Sequence, residues 1–160
     1  MSEQVEAEEA PTVSLARLYQ REYGPMVRLA SLLVGSTEAA EELVQDAFVA
    51  VHRRWDGLAN PGGYLRTCVV NGCRSHQRRA ALERRRRPQP RPEANDVGLQ
   101  ADELWDALLH LPYRQRAALV LRYYEDASEA AIAAALDVRP ATVRSLVHRG
   151  LEKLRKEVPA

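Results

Sequence analysis

Pro88, Pro90 and Pro92 stand at every second position directly after four consecutive arginines, Arg84 to Arg87. Proline lacks an N–H and pushes the residue before it out of the helical region, so no helix can cross this stretch. On either side of it, apolar residues recur at helical rather than alternating spacing. The chain is therefore predicted to be all-α, with two small helical domains at 14–87 and 101–157. A Pro/Arg-rich polar linker at 88–100 joins them, and fully stretched it reaches about 40 Å. Residues 1–13 hold four glutamates, no base and no periodicity, and read as a disordered acidic tail. The whole chain has 160 residues, which leaves each domain only a modest core.

In the first domain, Leu15, Leu18, Tyr19, Met26, Val27, Leu29, Ala30 and Leu33 form one apolar stripe, and Gly35 marks its end. Gly24-Pro25 falls inside it and is expected to kink or interrupt the helix. Ser36 is placed to cap a second helix, with Glu38 near the positive end of its dipole. Val44, Ala47, Phe48, Val51 and Trp55 make that helix's inner stripe, and Asp56 to Asn60 form a short loop. Asn60-Pro61 opens a third helix, with Tyr64, Leu65, Cys68, Val69 and Gly72 facing inward. Beyond Arg74 this helix turns strongly basic.

The second domain begins with Leu104, Trp105, Leu108, Leu109 and Leu111, followed by a helix from Pro112 to Glu125. From Ser128 to Lys156 comes a short Ala-rich helix, a tight turn at Asp137-Val138-Arg139, and a longer helix opened by Pro140. Val143, Val147, Gly150, Leu151 and Leu154 make one face of the longer helix, so that face must meet a core. Thr142, Arg144, Ser145, His148 and Arg149 occupy the other. A short helix, a tight turn and a basic helix describe a helix-turn-helix that fits the DNA major groove.

Charge supports nucleic acid as the partner. The net charge is only +1, but eight arginines meet one glutamate in 74–92, and six bases meet one acid in 139–156. Two cationic patches suit a protein that touches nucleic acid at two places. The acidic stretch 93–106 would let the two cationic domains pack together in the free protein and mask their DNA faces, an arrangement that raised salt would open. No apolar run is long enough to cross a membrane, and the acidic N-terminus is unlike a signal peptide, so the chain is expected to be cytoplasmic. Cys68 and Cys73 point in different directions on one helix and are expected to pack as small apolar residues. The four histidines show no metal-ligand spacing. There is no Gly-rich phosphate loop and no nucleophile motif, so neither a cofactor, a small-molecule substrate nor an enzyme is expected.

The segments AEELVQDAFVAVHRRW (Ala40 to Trp55) and NPGGYLRTCVVNGCRSHQRR (Asn60 to Arg79) resemble the second domain of extracytoplasmic-function sigma factors, closest to an actinobacterial type. Leu111 to Arg155, with LPYRQRAALVLRYYED and the helix-turn-helix, resembles their fourth domain. The resemblance implies a protein that binds core RNA polymerase, directs it to promoters and helps open the DNA. It implies docking of the Ala40–Trp55 helix on the clamp helices of the largest subunit, through Leu43, Gln45 and Asp46, and of the fourth domain on the beta flap. Leu43 could equally be a core residue, and Asp46 a solvated acid.

By the same resemblance, the Asp56–Asn60 loop would hold a flipped base of the minus-ten element. Asn60, Arg66, Asn71, Arg74, Arg78 and Arg79 would serve that element and the melted strand. Thr142, Arg144, Ser145, His148 and Arg149 would serve the minus-thirty-five element, where an arginine fork matches guanine O6 and N7. Asn71 could instead bond its neighbours, and His148 could do nothing. Many sigma factors of this kind are held by an anti-sigma protein, which makes one a candidate partner here. Arg139, Leu146, Ala127 and Ala131 depart from the usual pattern, weakening the cap, one phosphate contact, the packing and the capping box of the helix-turn-helix. The competing reading is a stand-alone helix-turn-helix regulator, which would bind duplex DNA without polymerase.

Overall fold

The computed structural model describes residues 14–86 and 102–158. Among them are seven α-helices, one 3-10 turn and no strand. The acidic tail, the whole linker, Arg87, Ala101 and residues 159–160 lie outside the described residues.

Helix α1 (Leu15–Val34) is capped by Ser14, whose hydroxyl accepts the Arg17 N–H at 3.2 Å. Gly35 closes it at φ 75°, the left-handed conformation that glycine adopts without steric cost. Pro25 sits inside α1 without interrupting it. Leu18 before the proline and Met26, Leu29, Ala30 and Leu33 after it are all buried, and packing on both sides outweighs the lost hydrogen bond. Helix α2 (Thr37–Arg53) starts on Ser36, whose hydroxyl accepts from Ala39. It stops short of Trp55, because Arg54 leaves the helix and lies 5.9 Å over the Tyr64 ring. A 3-10 turn at Trp55–Gly57 then leads to α3 (Pro61–Arg86). These three helices close around Leu18, Leu29, Leu33, Val44, Val51, Leu65 and Val69, each contributing about 1.5–3 kcal/mol on burial.

The second domain contains α4 (Asp102–His110), α5 (Tyr113–Tyr123), α6 (Glu129–Leu136) and α7 (Pro140–Glu157). Pro112 precedes α5 as its N-cap rather than opening it, and the helix ends before Glu125. Ser128 caps α6 by accepting the Ala131 N–H at 3.1 Å, so half of the capping box survives without a glutamate at 131. Asp137 makes the turn at φ 53°, and the Val138 N–H reaches back to the Ala133 carbonyl. Arg139 precedes α7 with no side-chain cap, as its residue type predicts. Ala127 is buried, and Leu146 is half-buried against the core rather than turned to solvent.

Gly150 lets α7 approach α5: a Cβ added there would lie 2.8 Å from Leu119 Cδ1 and 3.2 Å from its Cγ. Leu119 is itself buried and has little room to give. Gly150→Leu is expected to destabilise the second domain by about 1–3 kcal/mol, read as a lower thermal midpoint. An unchanged midpoint would show that the helices can separate at no cost.

The two domains pack directly on each other. Helix α6 lies between α3 on one side and α5 and α7 on the other, while α5 and α4 also meet α1. Arg116 of α5 is 3% exposed and crosses the seam to donate to the Leu33 carbonyl at 2.6 Å. That carbonyl belongs to the last turn of α1, where helix carbonyls lack partners and the dipole is negative. Burial lowers the guanidinium's pKa, and the Leu33 carbonyl gives the buried charge a hydrogen-bond partner. Tyr113 donates its hydroxyl to the Val70 carbonyl of α3 at 2.7 Å, and Arg28 donates to the Tyr124 hydroxyl at 2.9 Å. Leu109 lies against Gly35.

Packing of the domains was expected, helped by the acidic stretch 93–106 and with both DNA faces masked; residues 93–101 of that stretch lie outside the described residues. Among the described residues the seam is mainly apolar and hydrogen-bonded, and salt screens such contacts weakly. The outer arc of α7 stays exposed, and on α3 Arg66 and Arg74 are half-buried while Asn71, Arg78 and Arg79 are exposed.

Candidate nucleic-acid interface

Helix α7 separates its two faces cleanly. Val143 and Gly150 are buried, and Leu146, Val147, Leu151 and Leu154 are half-buried beside them. Thr142, Arg144, Ser145, His148 and Arg149 are all exposed. At about 100° per residue they span an arc of roughly 160° opposite the buried one. Arg144 Nε lies 3.3 Å from a Glu129 carboxylate oxygen on α6, and His148 Nε2 lies 3.3 Å from Glu152. Both pairs are well exposed, so they restrain side chains more than they stabilise the fold. The Ser145 hydroxyl leans back on the Ala141 carbonyl at 3.4 Å.

The residues matched to the minus-ten element do not form one face. Asn71 and Arg78 lie on the exposed side of α3, with Arg79 also exposed beyond them. Arg66 and Arg74 are half-buried on the side that carries Val70, where the second domain sits. Arg66 Nη2 lies 3.7 Å from a Glu125 carboxylate oxygen, and its Nε is buried with no hydrogen-bond partner. Burial raises the Glu125 carboxyl pKa, and Arg66 lowers it in part. Asn60 is exposed, and its carboxamide oxygen accepts the Gly63 N–H at 3.1 Å, capping α3. A Cβ at Gly63 would meet that carboxamide at 2.7 Å. Asn60→Ala is expected to cost about 1 kcal/mol of stability. If DNA binding fell while the thermal midpoint stayed fixed, the cap would be irrelevant.

On the opposite flank, Tyr23, Glu41, Glu42, Gln45 and Asp46 line an open acidic groove of about 520 Å³ between α1 and α2. The Gln45 amide donates to the Tyr19 hydroxyl at 2.9 Å. Tyr19 stacks on Tyr23 and tilts against Phe48, at centroid distances of 5.0 and 4.8 Å. Leu43 is only 9% exposed and packs near Gly72 of α3, leaving Gln45 and Asp46 as the exposed members of the predicted docking set. Sequence reasoning missed the contribution of Tyr19 and Tyr23. Their spacing of four did signal an aromatic pair on one helix face, but Tyr19 was counted only as core.

Both cysteines are free; Cys73 is buried and Cys68 half-buried. Burial pushes the Cys73 thiol up to about 12 and raises that of Cys68. Among the described residues no group of three or more His, Cys, Asp or Glu could hold a metal, and no helix is long and apolar enough to cross a membrane.

Residues 18–83 match the Sigma-70 region 2 model, and residues 101–154 match the Sigma-70 region 4 model. The RNA polymerase sigma-E factor of Streptomyces avermitilis is 36% identical over 140 residues, covering 83% of this chain and 78% of the relative. The chain belongs to the extracytoplasmic-function sigma factors. Another relative of this sigma family, SigM of Mycobacterium tuberculosis, described as an ECF RNA polymerase sigma factor, is 32% identical over 154 residues, covering 86% of this chain and 74% of that protein. A sigma factor is an initiation factor and not an enzyme. The fold is shared with the sigma factor RpoE of Bartonella quintana, solved in complex with the anti-sigma factor NepR. The TM-score is 0.74 at 22% identity, covering 90% of this chain and 96% of that one. Two sigma regions in one chain also decide against the stand-alone regulator.

Proposed function

We propose that this sigma factor divides promoter recognition between its two domains in the way its exposed groups allow. The first domain (14–87) docks on core RNA polymerase through the α1–α2 groove, with Gln45 and Asp46 facing the clamp helices of the largest subunit. The same domain handles the minus-ten element and the melted strand with Asn60, Arg66, Asn71, Arg74, Arg78 and Arg79. The second (101–157) reads the minus-thirty-five element with Thr142, Arg144, Ser145, His148 and Arg149, and meets the beta flap. The observation that supports this most is the clean division of α7 into a buried arc and an exposed, basic arc. Arginine supplies base readout there, and the cationic end of α3 supplies phosphate attraction that carries no sequence information.

An anti-sigma protein is a plausible regulator in this reading, because the Bartonella quintana fold relative is bound to one. A cytoplasmic location follows from work on chromosomal promoters. Run-off transcription tests the whole: core polymerase with the chain is expected to give a defined transcript from a promoter mapped after overexpression. Sequence-specific duplex binding with no transcript would overturn the proposal.

A further inference from the structure

The end of α2 carries an arginine whose donors are unused. Arg54 leaves the helix at φ −111°, ψ 11°, and its guanidinium carbon lies 5.9 Å from the centre of the Tyr64 ring. At that separation a cation is attracted by the ring face, a contact that takes up no hydrogen-bond acceptor. The Arg54 carbonyl accepts the Gly57 N–H at 3.0 Å, so the same residue anchors the turn that opens the Asp56–Asn60 loop. Arg21, Arg66 and Arg144 each have a carboxylate neighbour. Among the described residues no hydrogen bond or ion pair uses the Arg54 guanidinium.

Tyr64 is fixed from two sides. Its N–H donates to the Asn60 carbonyl at 3.1 Å, and its hydroxyl bonds the Cys68 thiol one turn on. Burial raises the Cys68 pKa, while that bond and the Arg54 charge lower it in part. Arg54 therefore stands beside the first two turns of α3. Tyr64, Asn71 and Arg78 recur every seven residues, and at about 100° per residue they stay within about 40° of one line along that helix. The line starts at the loop and runs for about 21 Å at ~1.5 Å per residue. Asn71 and Arg78 are exposed on it, and Cys68 and Ser75 fill the turns between, so no acid interrupts it.

We infer that Arg54 is a further strand-binding residue, a phosphate clamp at the loop end of this line, with Tyr64 as the platform that positions its fork. The inference rests on the minus-ten reading above and adds to it a residue outside the set given there. A strand that follows exposed Asn71 and Arg78 toward the loop meets Arg54 as it arrives. A guanidinium fork matches two phosphate oxygens at once. Resting on a fixed ring, it loses less freedom on bonding than a side chain free in solvent. An aromatic platform beside a cationic track is also the usual construction for holding a single strand.

The test titrates a fluorescein-labelled twelve-nucleotide thymidine strand with the full chain over a salt series, after helicity and melting are checked. Arg54→Gln is expected to weaken binding about tenfold at low salt, as loss of a charge-assisted hydrogen bond does. It should also reduce the slope of log affinity against log salt by about 0.7, the share of one phosphate contact on a single strand. Arg54→Lys should restore the slope but only part of the affinity, because an ammonium has no fork. Tyr64→Leu should cost about twofold to fivefold, the worth of an exposed cation–π contact, with the slope retained. A wild-type slope in Arg54→Gln would overturn the inference, and with a lowered thermal midpoint it would mark Arg54 as a packing residue only. A wild type that does not bind the strand would overturn it as well. Retention by core polymerase is measured in parallel: a wild type that is not retained would overturn the sigma-factor reading, while the strand titration still decides the clamp.

Discussion

Asp46→Arg is expected to abolish co-purification of the chain with core RNA polymerase while leaving helicity and thermal midpoint unchanged. Asp46 is exposed on α2 and shares the groove with Glu41 and Glu42, so a docking partner must present complementary charge to it. Placing like charges against each other at an interface costs several kcal/mol, which amounts to a hundredfold loss or more. The fold has no comparable stake, since surface substitutions away from caps and cores stay within about 0.5 kcal/mol. Retention at wild-type levels would remove α2 from the docking surface. Gln45→Ala makes a milder companion, because it also releases the Tyr19 hydroxyl.

The second large effect is expected at Arg149. This side chain is exposed on the basic arc of α7, toward the edge that Thr142 shares and away from buried Val143 and Gly150. Loss of a bidentate arginine–guanine pair costs about 1–3 kcal/mol of discrimination. Arg149→Ala should therefore lower activity at a mapped promoter about tenfold to hundredfold, and Arg149→Lys should recover little, because an ammonium cannot fork. Polymerase retention should not change. If retention fell and promoter choice survived, α7 would belong to the polymerase interface. Arg144 is expected to respond more weakly, since it must first leave Glu129.

Much of the fold was legible because helical stripes and their end signals agree. Ser14, Ser36 and Ser128 cap the helices they precede, and Gly35 closes α1. Pro25 does not interrupt α1, because its local penalty is real but smaller than the packing of Leu18, Met26 and Leu29 around it. The end of α2 was misplaced because Arg54 stacks on Tyr64, a contact ten residues ahead that no helical period encodes.

The site was legible where one helix carries all its residues, as on α7. It was less so on α3, where Arg66 and Asn71 share a motif yet fall on different faces of the packed molecule. Leu43 shows the same limit: its place in the motif could not tell a docking residue from one turned into the core. The seam itself left a trace in the sequence only as an Ala-rich helix with too broad an apolar surface. Nothing in the sequence sets Arg116 apart from its neighbour Arg114 or shows that it would reach the end of α1.

The two thiols carry a consequence for how opening of the first domain is observed. Oxidants and electrophiles attack thiolates, and both sulfurs here are held in the protonated form by their apolar surroundings. The folded chain is thus expected to react slowly with thiol reagents, and Cys73, sealed in the core, more slowly than Cys68. A thiol that modifies at the rate of a free cysteine would then report that the first domain has opened.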